Sequence, residues 1–175
     1  AKMMGGFVGD FVSRVRSIPA LADPSLPLRD ALDRLFPNLH HIWLTRRNKV
    51  RQAVSWWMAT QTEQWTSEQI ARAQHEPRYD FAAIDHLVQE IVIREAALQS
   101  YFDEMEVEPY VVVYEDYAAY PDATARAVLA YLGVPAPTTS LTGEVRFKKQ
   151  ANEINEAWVQ RYRDEKQTGW LRRIW

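Results

Sequence analysis

The sequence contains no cysteine, which excludes disulfides, thiolate catalysis and cysteine-bound zinc and fits a reducing cytoplasm, where we expect the protein to reside. No apolar run approaches the roughly 18 residues that span a bilayer, and no signal peptide opens the chain. None of the six glycines falls in the G-x-x-x-x-G-K-[ST] pattern of a phosphate-binding loop. The net charge of -2 argues against a broad nucleic-acid or membrane face.

The overall composition is that of a globular chain. With 175 residues, of which 47% are hydrophobic and 25% charged, the chain is long enough for one domain with a core, and we expect a single domain over residues 1–175. The chain opens with AKMMGG and no initiator methionine, which we interpret as the end of a strand and the turn after it. We therefore expect the chain to be the C-terminal major part of a larger domain.

Apolar periodicity predicts helices that alternate with two short strands. The strands are HHIWLT (40–45) and YVVVY (110–114), and the helices span about 7–18, 28–36, 50–65, 81–105, 121–132 and 151–166. This alternation predicts an α/β fold with three layers and an incomplete parallel sheet. Ligands of such sheets bind beyond the carboxyl ends of the strands. Three such ends are predicted, followed by Gly5-Gly6, Arg46-Arg47 and Glu115-Asp116.

The stretch LTRRNKVRQAVSWW (44–57) places four cations where the second predicted strand end turns into a helix. They are Arg46, Arg47, Lys49 and Arg51. The positive end of the helix dipole disfavours cations at this position. Two interpretations stay open: a solvated first turn whose long side chains cover apolar surface, or a site where a bound anion draws together guanidinium groups, backbone N–H groups and the dipole.

The spacing within this stretch favours the anion site. Asn48 is a good N-cap residue, and Ser55 follows it by seven positions, about two helical turns, so both lie on one face of the helix. Arg47 to Ser55, RNKVRQAVS, resembles the 3′-phosphate motif of sulfotransferases that use 3′-phosphoadenosine 5′-phosphosulfate. In that family an Arg after a strand and a Ser eight residues later hold the 3′-phosphate. TRR followed by QAVS is most similar to the bacterial trehalose 2-sulfotransferase branch.

Further segments resemble the same family in the same order. Tyr114, in the sequence YED, resembles the tyrosine that contacts the adenine. Lys148 and Lys149 resemble the second basic clamp on the 3′-phosphate. Lys2 occupies the place of a strand-end lysine near the transferred sulfuryl group, although the catalytic His that many relatives carry two residues later is Met4 here.

The resemblance implies a sulfotransferase with a P-loop-like fold and no metal. It implies transfer of a sulfuryl group from the cofactor to a hydroxyl of a carbohydrate such as trehalose, leaving 3′,5′-adenosine bisphosphate. The 5′-phosphosulfate loop and the acceptor-activating base belong to a region that these residues do not match. We therefore expect this chain alone to bind nucleotide without turning over.

Several alternatives stay open at this level. The four histidines form no H-E-x-x-H or H-x-x-E-H pair, so no metal site is predicted. Glu115-Asp116 is interpreted as a structural or cofactor-positioning turn in preference to a catalytic pair, because adjacent strand residues point to opposite faces. Lys148-Lys149 is also an ordinary surface dipeptide. Basic residues beside Trp56 could instead bind single-stranded nucleic acid, or the chain could be a non-catalytic nucleotide-binding domain.

The aromatic residues add two expectations. Trp43, Trp57 and Trp158 are expected in the core, whereas Trp56 and Trp65 could line the cleft for a sugar. The segment GWLRRIW (169–175) is apolar and basic and could dock on a second subunit, which would make the protein a homodimer.

Overall fold

A computed structural model of the chain describes residues 2–63, 76–142 and 153–175. Its elements are the strands β1 (Ile42–Thr45) and β2 (Tyr110–Val113) and the helices α1 (Val8–Arg16), α2 (Leu28–Leu35), α3 (Lys49–Thr62), α4 (Phe81–Glu104), α5 (Tyr114–Ala119), α6 (Pro121–Tyr131) and α7 (Glu153–Lys166). Two compact units share these elements: one holds the described residues of Ala1–Thr45 and Val92–Gly143, the other those of Arg46–Ile91 and Glu144–Trp175.

The first unit contains a two-stranded parallel sheet. β1 and β2 pair in register from Ile42 opposite Tyr110 to Thr45 opposite Val113. The β-branched run of β2 favours extended backbone, and the parallel pairing predicted from the alternation of strands and helices is confirmed. The three-layer, P-loop-like arrangement stays a prediction.

The core of the first unit lies among α1, α2 and the C-terminal half of α4. Leu32 is completely buried, and Tyr101 and Met105 of α4 pack with it in one apolar cluster. Trp43 packs against this cluster from β1, as expected for a core tryptophan. The apolar spacing of α4 predicted Phe102 and Met105 as members of its buried face, and both lie in this cluster.

The second unit is built from α3, the N-terminal half of α4 and α7. Val54 and Ile84 are completely buried in one cluster with Val159 and Tyr162 of α7. Trp57 and Trp158 pack against this cluster, as expected, and so does Trp56. Trp65 lies outside the described residues. No helix within the described ranges is long and apolar enough to cross a membrane.

Two local expectations are wrong. Met4 has extended backbone, but within the described part of the chain it belongs to no strand, and a 3₁₀ turn follows at Gly5–Phe7. Glu115-Asp116 lies in the first turn of α5 and not in a strand, so the opposite-face argument does not apply. Carboxylates in a first helical turn are stabilised by the positive end of the dipole, so these two residues favour a helix start at this position.

Candidate functional site

The connection between β1 and α3 is three residues long. β1 ends at Thr45, and α3 begins at Lys49. Asn48 has extended backbone, and its side chain accepts a 2.9 Å hydrogen bond from the N–H of Arg51. Asn48 is therefore the N-cap that the sequence predicted. A capped helix of 14 residues that follows directly on a strand presents backbone N–H groups and the positive end of its dipole at that strand's carboxyl end.

The four cations of this connection have different surroundings. The Lys49 ammonium donates a hydrogen bond to the carbonyl oxygen of Arg46. Arg51 pairs with Glu156 through a 2.6 Å contact between Nη2 and Oε2, which links the starts of α3 and α7. Arg46 is half-buried, and Arg47 is exposed. Lys49 and Arg51 thus support the local fold, and Arg47 is an exposed cation that directly precedes the cap.

Ser55 lies on α3 one position after the completely buried Val54. Its side chain is half-buried, and it is two turns along the helix from Asn48. The apolar face of the same helix, with Val50 and Ala53, is buried in the core of the second unit. Arg47 and Ser55 are therefore both in the second unit, on or beside a helix whose orientation is set by packing.

The other predicted site residues lie elsewhere. Tyr114 is the residue that follows β2, and β2 ends at Val113, the register partner of Thr45. The carboxyl ends of β1 and β2 therefore lie at one edge of the sheet, as the parallel pairing predicted. Lys2 is exposed in the first unit. Lys148 and Lys149 lie outside the described residues.

Sequence reasoning missed a carboxylate at this edge of the sheet. The hydroxyl of Thr45 donates a 2.5 Å hydrogen bond to Oε1 of Glu95, which is half-buried on α4. The backbone of its neighbour Arg94 packs against the 3₁₀ turn at Gly5–Phe7. A Cβ added at Gly5 would lie 2.5 Å from the carbonyl oxygen of Arg94. Both residues lie within a long amphipathic helix, where a charged residue gives no signal in the sequence beyond an ordinary exposed position.

A second missed feature is the anchor of the loop that follows α6. Asp122 accepts a 2.6 Å hydrogen bond from the backbone N–H of Leu141 and pairs with Arg126 at 2.7 Å. Arg126 in turn donates to the carbonyl oxygens of Pro137 and Thr139, each at 2.8 Å. The bond from Leu141, followed by the one from Arg126, holds the pKa of Asp122 below its usual value. The loop 137–141 is thus fastened to the start of α6.

At the opposite, amino end of β1, His41 contacts the hydroxyl of Tyr101 at 3.0 Å. Burial, followed by the neighbouring His40, lowers the pKa of His41 below its ordinary value. Among the described residues no three His, Asp or Glu side chains gather into a group that could hold a metal ion. His41, whose pKa is lowered, thus lies at the end of β1 that is away from Arg46 and the candidate site.

Comparison with known proteins found a matching family and similar sequences. The sequence model of the family described as Stf0 sulphotransferase matches residues 1–165. Trehalose 2-sulfotransferase of Mycobacterium tuberculosis (strain Erdman) is 28% identical over 145 residues, which cover 79% of this chain and 49% of that protein. Trehalose 2-sulfotransferase of Mycolicibacterium smegmatis is 29% identical over 168 residues, covering 95% of this chain and 61% of that protein.

The chain spans about half the length of the first of these relatives. The family match, in contrast, extends over nearly all of the chain and includes the β1–α3 connection, the start of α5 and most of α7. The resemblance read from TRR…QAVS and YED is confirmed at the level of the family: the chain belongs to the Stf0 sulphotransferase family.

Proposed function

We propose that this chain binds the 3′-phosphate of 3′-phosphoadenosine 5′-phosphosulfate through Arg47 and Ser55. We further propose that the whole protein transfers the sulfuryl group to a carbohydrate hydroxyl. The observation that carries the proposal is the β1–α3 connection, where an exposed Arg47 precedes a helix that is capped by Asn48 and begins directly after a strand.

The donor set of this connection fits a phosphate. Helix N-termini bind anions through N–H groups and the dipole, and a guanidinium binds phosphate oxygens in a bidentate, charge-assisted fashion. Arg47 is exposed and directly precedes the cap, so its guanidinium supplies the charge in this proposal. The Ser55 hydroxyl supplies a neutral donor further along the helix.

The remaining roles follow the resemblance to the family. Tyr114, at the carboxyl end of β2, contacts the adenine in this proposal. Lys148 and Lys149 add a second basic contact to the 3′-phosphate, and Lys2 neutralises charge on the leaving phosphate. These residues act by binding, orienting and charge stabilisation, which contribute most of the rate acceleration in transfer reactions of this type. The bound cofactor supplies the activated sulfuryl group.

The acceptor is proposed from the names of the relatives. Both matched proteins are trehalose 2-sulfotransferases, and a sugar hydroxyl is the corresponding acceptor for this chain. Half-buried Trp56 offers an aromatic face of the kind on which sugars stack, although it also packs against the second core. Trehalose is therefore the first acceptor to test on the full-length protein.

Nucleotide-dependent thermal stabilisation tests the binding step on this chain. A ligand that binds only the folded protein raises the melting temperature according to its concentration and affinity. We expect 3′,5′-adenosine bisphosphate to stabilise the chain, 5′-AMP to have little effect, and Arg47→Ala to remove the difference. Arg34→Ala is the matched control, because Arg34 is an exposed arginine on α2.

The outcomes separate the alternatives. Equal effects of the two nucleotides on folded protein, or no effect of either, would contradict the 3′-phosphate site. Salt-sensitive binding of oligonucleotides that Arg47→Ala weakens would instead favour a nucleic-acid site. Transfer of labelled sulfate to trehalose by the full-length protein, with lactose and glucose as comparison acceptors, then tests the reaction separately from binding.

A further inference from the structure

Lys2 is joined to a segment that the first unit holds in place. Met3 is half-buried and packs against the core of that unit. The 3₁₀ turn at Gly5–Phe7 follows, and its last N–H donates a 2.9 Å hydrogen bond to the carbonyl oxygen of Met4. Lys2 itself is exposed. Lys2 is therefore an exposed cation whose backbone leads directly into the core and a turn.

This turn packs closely on α4 because Gly5 has no side chain. A Cβ added at Gly5 would lie 2.5 Å from the carbonyl oxygen of Arg94 and 3.0 Å from its Cβ. No other residue fits at the first of these distances unless the backbone shifts. A Cβ added at Gly6 would lie 3.4 Å from Cζ and Nε of Arg94, so the Arg94 side chain extends along the same turn. Arg94 thus contacts the turn with its backbone and with its side chain.

The next residue of α4 holds the edge of the sheet. The Thr45 hydroxyl donates its 2.5 Å hydrogen bond to Oε1 of Glu95, and Thr45 is the register partner of Val113. Tyr114 follows Val113 directly. Consecutive residues of a helix differ by only about 1.5 Å along its axis. One turn of α4 therefore contacts both the turn after Lys2 and the strand end beside Tyr114.

We infer that Arg94 and Glu95 are positioning residues that set the distance between Lys2 and Tyr114. The inference rests on the proposed function, in which Tyr114 contacts the adenine and Lys2 neutralises the leaving phosphate. That phosphate is the 5′-phosphate of the product, 3′,5′-adenosine bisphosphate. The ribose joins the adenine to the 5′-phosphate, so a nucleotide held at Tyr114 meets the Lys2 ammonium only when the two residues are correctly spaced. Charge-assisted hydrogen bonds and transfer reactions both weaken steeply when such groups are misplaced.

Titration calorimetry with matched nucleotides tests this inference on the chain described here. Adenosine 3′-monophosphate lacks only the 5′-phosphate of the bisphosphate. We expect the wild type to bind the bisphosphate about tenfold more tightly than the 3′-monophosphate, since Lys2 contributes one charge-assisted contact. Lys2→Ala should remove this preference. Gly5→Ala should remove most of it, because the added Cβ displaces the turn, and should change the affinity for the 3′-monophosphate by less than about twofold.

A double variant shows whether Gly5 acts through Lys2. If it does, Lys2→Ala combined with Gly5→Ala should bind the bisphosphate no more weakly than Lys2→Ala alone. Gly9→Ala is the matched control, because nothing lies within 4 Å of the added Cβ, and it should keep the full preference. Far-ultraviolet circular dichroism and melting temperature verify that each variant is folded at the temperature of the titration.

The contact of Glu95 is tested from the side of its partner. Thr45→Val removes the hydroxyl at similar side-chain volume, and Thr45→Ser retains it. We expect Thr45→Val and Glu95→Ala each to reduce the preference for the bisphosphate at least about threefold, and Thr45→Ser to restore it. Glu104→Gln alters an exposed carboxylate at the end of the same helix and should leave the preference unchanged.

The outcomes distinguish this inference from the function on which it rests. A wild type that favours the bisphosphate over 5′-AMP but not over the 3′-monophosphate would overturn the inference and leave the 3′-phosphate site intact. So would a preference that persists in Gly5→Ala, a double variant that shows the sum of both losses, or a Thr45→Ser chain as impaired as Thr45→Val. Equal affinity of the wild type for the bisphosphate and 5′-AMP would contradict the proposed function, and the inference with it.

Discussion

The hydroxyl of Tyr162 donates a 2.7 Å hydrogen bond to Oδ1 of Asp85, and the same carboxylate oxygen pairs with Lys166 at 2.7 Å. Gln89 adds a 2.8 Å hydrogen bond to the other oxygen. Asp85 and Gln89 are on α4, and Tyr162 and Lys166 are on α7, so one carboxylate joins the two helices. Its side chain is only 17% exposed, so these contacts are shielded from water.

Tyr162→Phe should lower the free energy of unfolding by about 1–2 kcal/mol, because a hydrogen bond to a charged acceptor is lost while the ring stays packed. Tyr79→Phe is the matched control. Tyr79 also donates to a carboxylate of α7, Glu165, but at 3.2 Å and at the surface, so its removal should change stability by less than about 0.5 kcal/mol. Urea denaturation at neutral pH measures both, and equal losses would contradict the special role of Asp85.

The same carboxylate should make stability depend on pH in acid. Burial acts to raise the pKa of Asp85, but hydrogen bonds from Lys166 and Tyr162 outweigh it and hold the pKa below its ordinary value. The folded protein therefore binds this proton less readily than the unfolded chain. The stabilisation is present above the ordinary aspartate pKa of about 3.9 and is lost as the pH falls through the lower folded value.

Asp85→Asn should flatten this dependence. Urea midpoints measured between neutral pH and the acid limit of folding should fall more steeply in the wild type than in the variant. Asp80→Asn provides a comparison, because Asp80 is an exposed carboxylate near the start of the same helix. Parallel pH curves for wild type and Asp85→Asn would show that Asp85 does not titrate with a lowered pKa.

Replacement of Gly5 or Gly9 by alanine should change the free energy of unfolding in opposite directions. A Cβ at Gly5 would lie 2.5 Å from the carbonyl oxygen of Arg94, so the backbone of the first turn or of α4 must shift. We expect Gly5→Ala to lower the free energy of unfolding by about 1–3 kcal/mol. At Gly9 nothing lies within 4 Å of the added Cβ, and Gly9→Ala on α1 should raise it by about 0.5–1 kcal/mol. Thermal unfolding compares the two.

Two substitutions at Asn48 distinguish its role as the helix cap from phosphate binding at the same helix end. Asn48→Ala should lower the free energy of unfolding by about 1 kcal/mol, since the hydrogen bond from the Arg51 N–H is lost. Asn48→Asp keeps a capping acceptor and adds negative charge at the positive end of α3, so stability should be retained. Its carboxylate should nevertheless weaken binding of 3′,5′-adenosine bisphosphate, measured by calorimetry. Undiminished binding to Asn48→Asp would place the phosphate away from this helix end.

Local chemistry made much of the fold predictable. The apolar spacing of α4 predicted that Ile84 and Ile91 belong to its buried face. Both lie in the core of the second unit. Asn48 was predicted as the N-cap of α3, and Pro121 as the start of α6. Gly133 has a φ of 66°, as expected for the residue that ends a helix. Each of these features depends on residues within a few positions of one another.

Side-chain contacts between distant residues could not be predicted, although the parallel pairing of the strands could. The pairing of Arg51 with Glu156 joins side chains that lie 105 positions apart, and the sequence around each residue gives no indication of the other. The same holds for Tyr162 and Asp85, 77 positions apart. At the candidate site, the strand end and the helix cap were predictable, whereas the partner and the exposure of each of the four cations required the tertiary structure.

The pairing of β1 with β2 also bears on how the chain folds. Ile42 and Tyr110 are register partners although roughly seventy positions separate them, and contacts of such long range form slowly because the intervening chain must first be brought together. Helices α3 and α4 lie between the strands and depend on local hydrogen bonds, which form much faster. During synthesis, β1 must wait for all of α4 and then β2 to emerge before its partner exists, so its edge stays unpaired while more than sixty further residues are made.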